Sequence, residues 1–288
     1  MVDDPRLLAL GAAALYGSAL VLTQVGLRHL PPLAGARIGV PSATVLLWLA
    51  ALPAVDWSAG DPRATAIFAA IGLLFPAAVT LLTYEANRRM GPSVAGALGN
   101  LAPLFAVALA AAALAELPRL AELAALGLIV VGVVAIALDR RWDGRAWPLW
   151  ALALPLAAAL VRGGVQSAVK LGLERWPSAL AATAIGYAVS SMVVIAAAHG
   201  RVRPAGMKAR RAGAGWFVLV GLCNGGAVLL TYAALARGPV SLVAPLVATY
   251  PVATLALSRV FLARARPAPA AAAGVALTVA GVVLLLAA

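Results

Sequence analysis

The chain has 288 residues, of which 64% are hydrophobic and only 11% charged, and a formal net charge of +12. Water-soluble domains run at about 45–50% apolar and roughly 25% charged, so this composition excludes a soluble fold and makes lipid the solvent. Most of the basic residues fall in short loops between apolar runs, which places them at the membrane flanks and argues against nucleic-acid binding.

Met1 to Arg6 is a short polar start. Leu7–Leu27 is apolar and long enough to cross about 30 Å of hydrocarbon at roughly 1.5 Å per residue. The leader holds Asp3, Asp4 and one arginine, a poor basic region for a cleaved signal peptide, so this run is span 1. Arg28-His29-Leu30-Pro31-Pro32 is a turn, and span 2 follows over Leu33–Leu52. The polar loop Pro53–Arg63 leads to span 3 over Ala64–Ala86, the Arg88-Arg89 turn, and span 4 over Ser93–Ala115. A break around Pro118 precedes span 5, Leu120–Leu138. The charged stretch Asp139–Ala146 is the expected boundary between halves. Span 6 covers Trp147–Leu173 and span 7 Ser178–Ala198, and Gly200–Gly215 is the longest polar loop. Spans 8, 9 and 10 cover Trp216–Ala236, Val240–Leu262 and Ala268–Ala287.

Two stretches repeat one plan. Leu81-Leu82-Thr83-Tyr84 matches Leu229-Leu230-Thr231-Tyr232, Gly91-Pro92 matches Gly238-Pro239, and Pro103 matches Pro251, at offsets of 148, 147 and 148. Tyr16-Gly17-Ser18 likewise stands opposite Arg162-Gly163-Gly164, at an offset of 146. The expectation is an all-α membrane protein of ten transmembrane helices in two five-helix repeats, 1–145 and 146–288. Five is odd, so the second repeat enters the membrane from the opposite face and the pair is inverted. In such folds the substrate site lies near the midplane between the repeats.

This ordered set resembles the drug/metabolite transporter superfamily, EamA type. The resemblance is carried by Tyr16-Gly17-Ser18 in span 1, Arg37 in span 2, the Gly-Pro turns, Pro103 and Pro251, Glu116 closing span 4, and the glycines Gly127/Gly132 and Gly274/Gly281 of the last spans. It covers nearly the whole chain. It implies a secondary transporter of small metabolites in a bacterial-type inner (plasma) membrane. Two positions depart from the pattern: Arg264 stands where a glutamate is expected, and Arg162 where an aromatic residue is expected.

An ionisable group in the hydrocarbon asks for a reason, since insertion costs about 2.5–3.5 kcal/mol. Arg37 and Arg259 lie near span ends and can snorkel. Arg162 is deep in span 6, and Gln166 and Lys170 follow at i+4 and i+8 on one helix face. Either these residues hold substrate, or Arg162 makes a structural pair, for instance with Glu85. Glu85 is also the candidate for ion coupling, although Arg88 and Arg89 within one turn offer a salt bridge instead. Pro103 and Pro251 cannot donate to the carbonyls of Gly99 and Val247, which predicts helix kinks with free carbonyls beside Asn100, Thr249 and Tyr250. Tyr16, Ser18, Tyr84, Asn100, Tyr232 and Tyr250 complete the expected substrate-binding set.

Cys223 is the only cysteine, and His29 and His199 form no HExxH pair. There is no GxxxxGK[ST] loop. No metal, cofactor or catalytic group is therefore expected, and the chain is read as a monomer, its inverted pair already complete. Rival readings are a lipid-carrier flippase or its accessory subunit, and a sensor or scaffold that transports nothing. Related small multidrug transporters hold cations with a glutamate in their first helix, whereas Leu7–Leu27 and Trp147–Leu173 contain no acidic residue. The expected substrate is accordingly anionic or zwitterionic, such as an amino acid or another carboxylate. The resemblance puts both termini in the cytoplasm, but only Arg6, Arg63, Arg119, Arg175 and Arg237 would then face inward. The loop-charge bias, dominated by the Arg201–Arg211 cluster, favours both termini outside.

Overall fold

The computed structural model describes residues 4–79, 82, 85–86, 89, 98–99, 101–115, 117–138, 148–200, 207–250, 252–254, 256–257 and 269–287. No strand occurs among the described residues. The helices are α1 (Pro5–Gly26), α2 (Pro32–Ala54), α3 (Pro62–Leu74), α4 (Ala102–Leu114), α5 (Leu120–Leu138), α6 (Ala153–Arg175, entered through a 3-10 turn at Leu149–Leu152), α7 (Ala179–Ala198), α8 (Met207–Leu235), α9 (Val240–Val247) and α10 (Pro269–Ala287). Among the described residues, six helical segments are long and apolar enough to cross a membrane: Pro5–Thr23, Pro32–Ala54, Pro62–Val79, Trp150–Arg175, Ala179–Ala198 and Arg211–Leu235. Shorter apolar helices cover Ala102–Leu114, Leu120–Ala135, Val240–Val247 and Ala273–Leu285. The chain is a multi-pass membrane protein.

Local chemistry sets the helix starts. Asp4 accepts from the Arg6 N–H at 2.8 Å, Asp61 from the Ala64 N–H at 2.7 Å and Ser178 from the Ala181 N–H at 3.2 Å. Proline opens α1, α2 and α3, where its missing N–H costs nothing. In the α2–α3 loop Asp56 accepts from the hydroxyl and N–H of Ser58 and the N–H of Ala59, which hold its carboxyl below the ordinary range.

Four boundaries differ from those the sequence predicts. Span 3 does not run unbroken to Ala86: α3 stops at Leu74, because Pro76 forces Phe75 into extended backbone at φ −133°. Span 8 begins earlier, as Met207–Gly215 joins α8 rather than the loop. Span 9 breaks at a turn over Ala248 and Thr249, where the Thr249 hydroxyl donates to the Leu246 carbonyl at 2.7 Å. Within the described part of span 4, a turn at Leu101 precedes α4. Pro103 thus sits in the first turn of α4, not mid-helix. The 139–146 boundary, the Gly91-Pro92 turn, Pro251, Arg88, Glu116, Arg259 and Arg264 lie outside the described residues.

The packing puts alanine at many helix contacts and leaves many large apolar side chains outside, although Phe68, Ile129, Leu235 and Leu246 are fully buried. Ala9, Ala12, Ala43 and Ala51 are buried, while Leu49 and Met192 are 64% and 71% exposed within their helices. Hydrocarbon outside supplies no drive to hide leucine, so helices associate where small side chains let backbones approach.

Residue pairings fix the helix directions. Gly39 lies on Gly221 and Gly225 on Ala43, so α2 and α8 are parallel. Gly11 lies on Leu230 and Gly26 on Phe217, so α1 opposes α8. The Trp48 indole N–H donates to the Ala184 carbonyl at 3.0 Å and Thr44 meets Ser191, so α7 opposes α2. Phe68 and Gly72 follow Gly186 and Ser190 in register, so α3 is parallel to α7. Gly172 lies on Phe68 while Val161 and Val165 lie beside Leu74, so α6 opposes α3. Gly163 lies on Ala102, and the Ser167 hydroxyl donates to the Ala106 carbonyl at 3.2 Å, so α4 is parallel to α6. Gly238 lies on Pro5 and Gly17 on Tyr250, which aligns the α9 segment with α1. Gly132 lies on Gly274 and Gly281 on Ala125, so α5 and α10 are antiparallel. Each helix therefore runs opposite to the helix five places on.

The contacts also come in exchanged pairs. Gly39 on Gly221 is matched by Gly186 on Gly72, Phe217 on Gly26 by Phe68 on Gly172, and Gly17 on Thr254 by Gly163 on Ala106. Equivalent residues are offset by 146–149 positions. Thr44 and Ser191 are themselves equivalents and meet at 2.7 Å, so the approximate twofold passes between them. Thr44 Oγ1 also lies 3.0 Å from the carbonyls of Tyr187 and Val40, which lets Ser191 donate to Thr44 while Thr44 donates to a carbonyl.

Candidate functional site

The chain has five tyrosines. Four are described, Tyr16, Tyr187, Tyr232 and Tyr250, and all four belong to one cluster. The Tyr16 hydroxyl meets that of Thr231, and its ring packs edge-on against Tyr250 with centroids 6.3 Å apart. Tyr187 lies within electrostatic reach of Tyr16 and Tyr232, and Arg162 within reach of Tyr16. The cluster draws on α1, α6, α7, α8 and the turn after α9. Tyr16 and Arg162 occupy equivalent positions in the two halves, 146 residues apart. The cluster draws on both halves, with Tyr16 from the first and Tyr187, Tyr232 and Tyr250 from the second.

Local structure explains this convergence. Gly17 has no side chain, and a Cβ there would stand 2.7–2.9 Å from Ala253, Thr254 and the Tyr250 carbonyl. Only glycine lets α1 approach the broken α9 segment closely enough to bring Tyr16 onto Tyr250. Thr254 supports the turn by donating to the Tyr250 carbonyl at 3.0 Å. The break over Ala248 and Thr249 sets Tyr250 on a separate helical turn.

The other predicted residues divide. Gln166, one turn beyond Arg162, carries a buried Oε1 with no hydrogen-bond partner. That is a costly arrangement unless a partner arrives. Lys170, a further turn on, donates to the Gly238 carbonyl at 2.6 Å and ties α6 to the Gly-Pro turn before α9. Ser18 bonds back to the Ala14 carbonyl of its own helix at 2.9 Å. Tyr84 and Asn100 lie outside the described residues. Arg37 is exposed on α2, as snorkelling requires.

Glu85 pairs with Arg89 at 2.5 Å, and the Arg89 guanidinium stands 4.3 Å from the centroid of the Trp150 ring. Each side chain of the pair is 33% exposed, so a solvent-screened bridge worth about 0–1 kcal/mol is expected. Glu85→Gln should leave the pH profile of uptake unmoved. A shift of that profile by a pH unit or more in proteoliposomes would make Glu85 the coupling carboxylate.

Sequence reasoning missed Tyr187 and Thr231. The signal for Tyr187 was present: Thr183, Tyr187, Ser190 and Ser191 form a polar stripe on an otherwise apolar helix, and all four are buried. Thr231 stands in the duplicated Leu-Leu-Thr-Tyr motif, where only the tyrosine was picked out.

The family match makes this a multi-pass membrane transporter of the drug/metabolite type. The chain belongs to the EamA-like transporter family, whose profile matches residues 6–138 and again 149–287. A solved structure titled only "Crystal structure of protein" is similar in fold, with a TM-score of 0.77 over 97% of this chain and 95% of its own at 20% identity. No curated protein matches the chain.

Proposed function

We propose that the chain is a secondary transporter, not an enzyme, that moves small anionic or zwitterionic carboxylates, such as amino acids, by alternating access. The observation that carries this reading is the cluster of four tyrosines and Thr231 from both halves, with Arg162 within electrostatic reach of Tyr16. Tyrosine hydroxyls and a guanidinium supply hydrogen-bond donors and positive potential, and a low local dielectric strengthens both. The opposed directions of equivalent helices support two inverted five-helix units, 1–145 and 146–288, that rock about the site. Substrate-dependent uptake into proteoliposomes by the wild type and by Arg162 variants tests the reading. Failure of every small carboxylate to be taken up would sink it.

The proposed setting is a bacterial-type inner membrane with both termini outside, supported by the basic cluster Arg201–Arg211, which spans the α7–α8 connection and the start of α8. A reporter fused after Ala288 that is active only in the cytoplasm should stay silent. Strong activity would reverse the orientation.

A further inference from the structure

Between α3 and α6 lies an apolar cleft of about 330 Å³. Its walls include Ala70, Ile71 and Leu74 on α3 and Gly164, Val165 and Ala168 on α6, and every lining side chain is apolar. Leu73, Leu74 and Leu160 at its edge are exposed. On α6 the lining residues Val161, Gly164, Val165 and Ala168 centre roughly 110° around the helix from Arg162, at 3.6 residues per turn. The cleft therefore opens to the side of the Arg162 face, where leucines are exposed.

We infer that this cleft binds the acyl chain of a bilayer phospholipid. Both walls belong to segments long and apolar enough to cross the membrane, so the phase at its mouth is hydrocarbon. A soluble metabolite would find no polar partner there. The twofold supplies a second reason. Ala70, Gly164 and Ala168 are equivalent to Leu219, Ser18 and Leu22, so the other half carries side-chain atoms at these positions where the cleft has space. An alkyl chain supplies the missing atoms and restores the dispersion contacts that an empty apolar void forfeits.

The test uses the full chain in liposomes of phosphatidylethanolamine and phosphatidylglycerol doped with a phosphatidylcholine bearing a diazirine in mid-chain. After photolysis, adducts are mapped by peptide mass spectrometry. Labelling should concentrate on peptides covering 67–74 and 161–168 and exceed that on the open face of α2 at Leu46 and Leu49. The variant Ala70→Leu/Ala168→Leu, which installs the residues of the other half, should lose this excess, with labelling of α2 unchanged. Ala168→Leu alone should lose part of it, and carries the test if the double variant does not fold. Wild-type labelling no higher than on α2, or an excess that survives filling, overturns the inference. So do cross-links to a second copy that filling removes, since the occupant would then be protein.

Discussion

Arg162→Ala is expected to nearly abolish uptake while the protein still inserts and stays monodisperse in detergent. Arg162→Lys should also weaken transport although the charge is kept. The guanidinium presents a planar fork that binds a carboxylate through two parallel N–H donors, whereas an ammonium is a point charge that cannot reproduce that geometry. Losing one charge-assisted bond costs about 1.5–3 kcal/mol, or roughly 10- to 150-fold in transport efficiency. Losing the half-buried cation altogether should cost more, about 2–5 kcal/mol. The electrostatic reach between Arg162 and Tyr16, its equivalent in the other half, sharpens the expectation. Uptake of several carboxylates by the purified variants, with protein quantified in each liposome preparation, separates the cases. Normal transport by both variants, or a preference for lipophilic cations, would make Arg162 a structural residue.

Gly221→Ala should be the most damaging single methyl in the described helices. Its Cβ would stand 2.1 Å from the Gly39 carbonyl oxygen, 2.8 Å from that carbonyl carbon and 3.0 Å from the Gly39 Cα. Backbone cannot rotate away as a side chain can, so α2 and α8 must separate. Phe217, one turn earlier on α8, now lies against both Gly35 and Gly26, and separation would loosen that contact too. Overpacking of this kind costs about 1–3 kcal/mol. At roughly 2–4 °C per kcal/mol for a chain of this order of size, the thermal midpoint should fall measurably. Gly127→Ala is the control, since nothing lies within 4 Å of its added Cβ. It should be neutral, or stabilising by up to about 1 kcal/mol, because alanine loses less backbone entropy in a helix. A Gly39→Ala/Gly221→Ala double variant should cost less than the sum of the two, as one separation relieves both overlaps. Equal midpoints for Gly221→Ala and Gly127→Ala would show that the α2–α8 crossing is not close-packed.

The sequence by itself determined the solvent, the helical class and the duplication. Each of these is written locally. Apolar runs of some twenty residues report a bilayer, and the repeated Leu-Leu-Thr-Tyr and Gly-Pro signals report a copied unit whatever its packing. Sequence also singled out Arg162, Tyr16, Tyr232 and Tyr250, because a polar group inside an apolar run is conspicuous without any neighbour. Which of the polar groups meet was decided only by the tertiary structure. Lys170 shares a helix face with Arg162 and looks equivalent in the sequence, yet its ammonium reaches the Gly238 carbonyl. Tyr187 looks like one polar residue among several on its helix, yet it joins Tyr16 and Tyr232 across the bundle. The reason is physical. Helix periodicity fixes the face a side chain occupies, but the partner on that face is set by how closely two backbones approach. At Gly17, Gly39 and Gly221 that approach depends on the absence of a methyl group on one helix and on the shape of another helix far away in the chain.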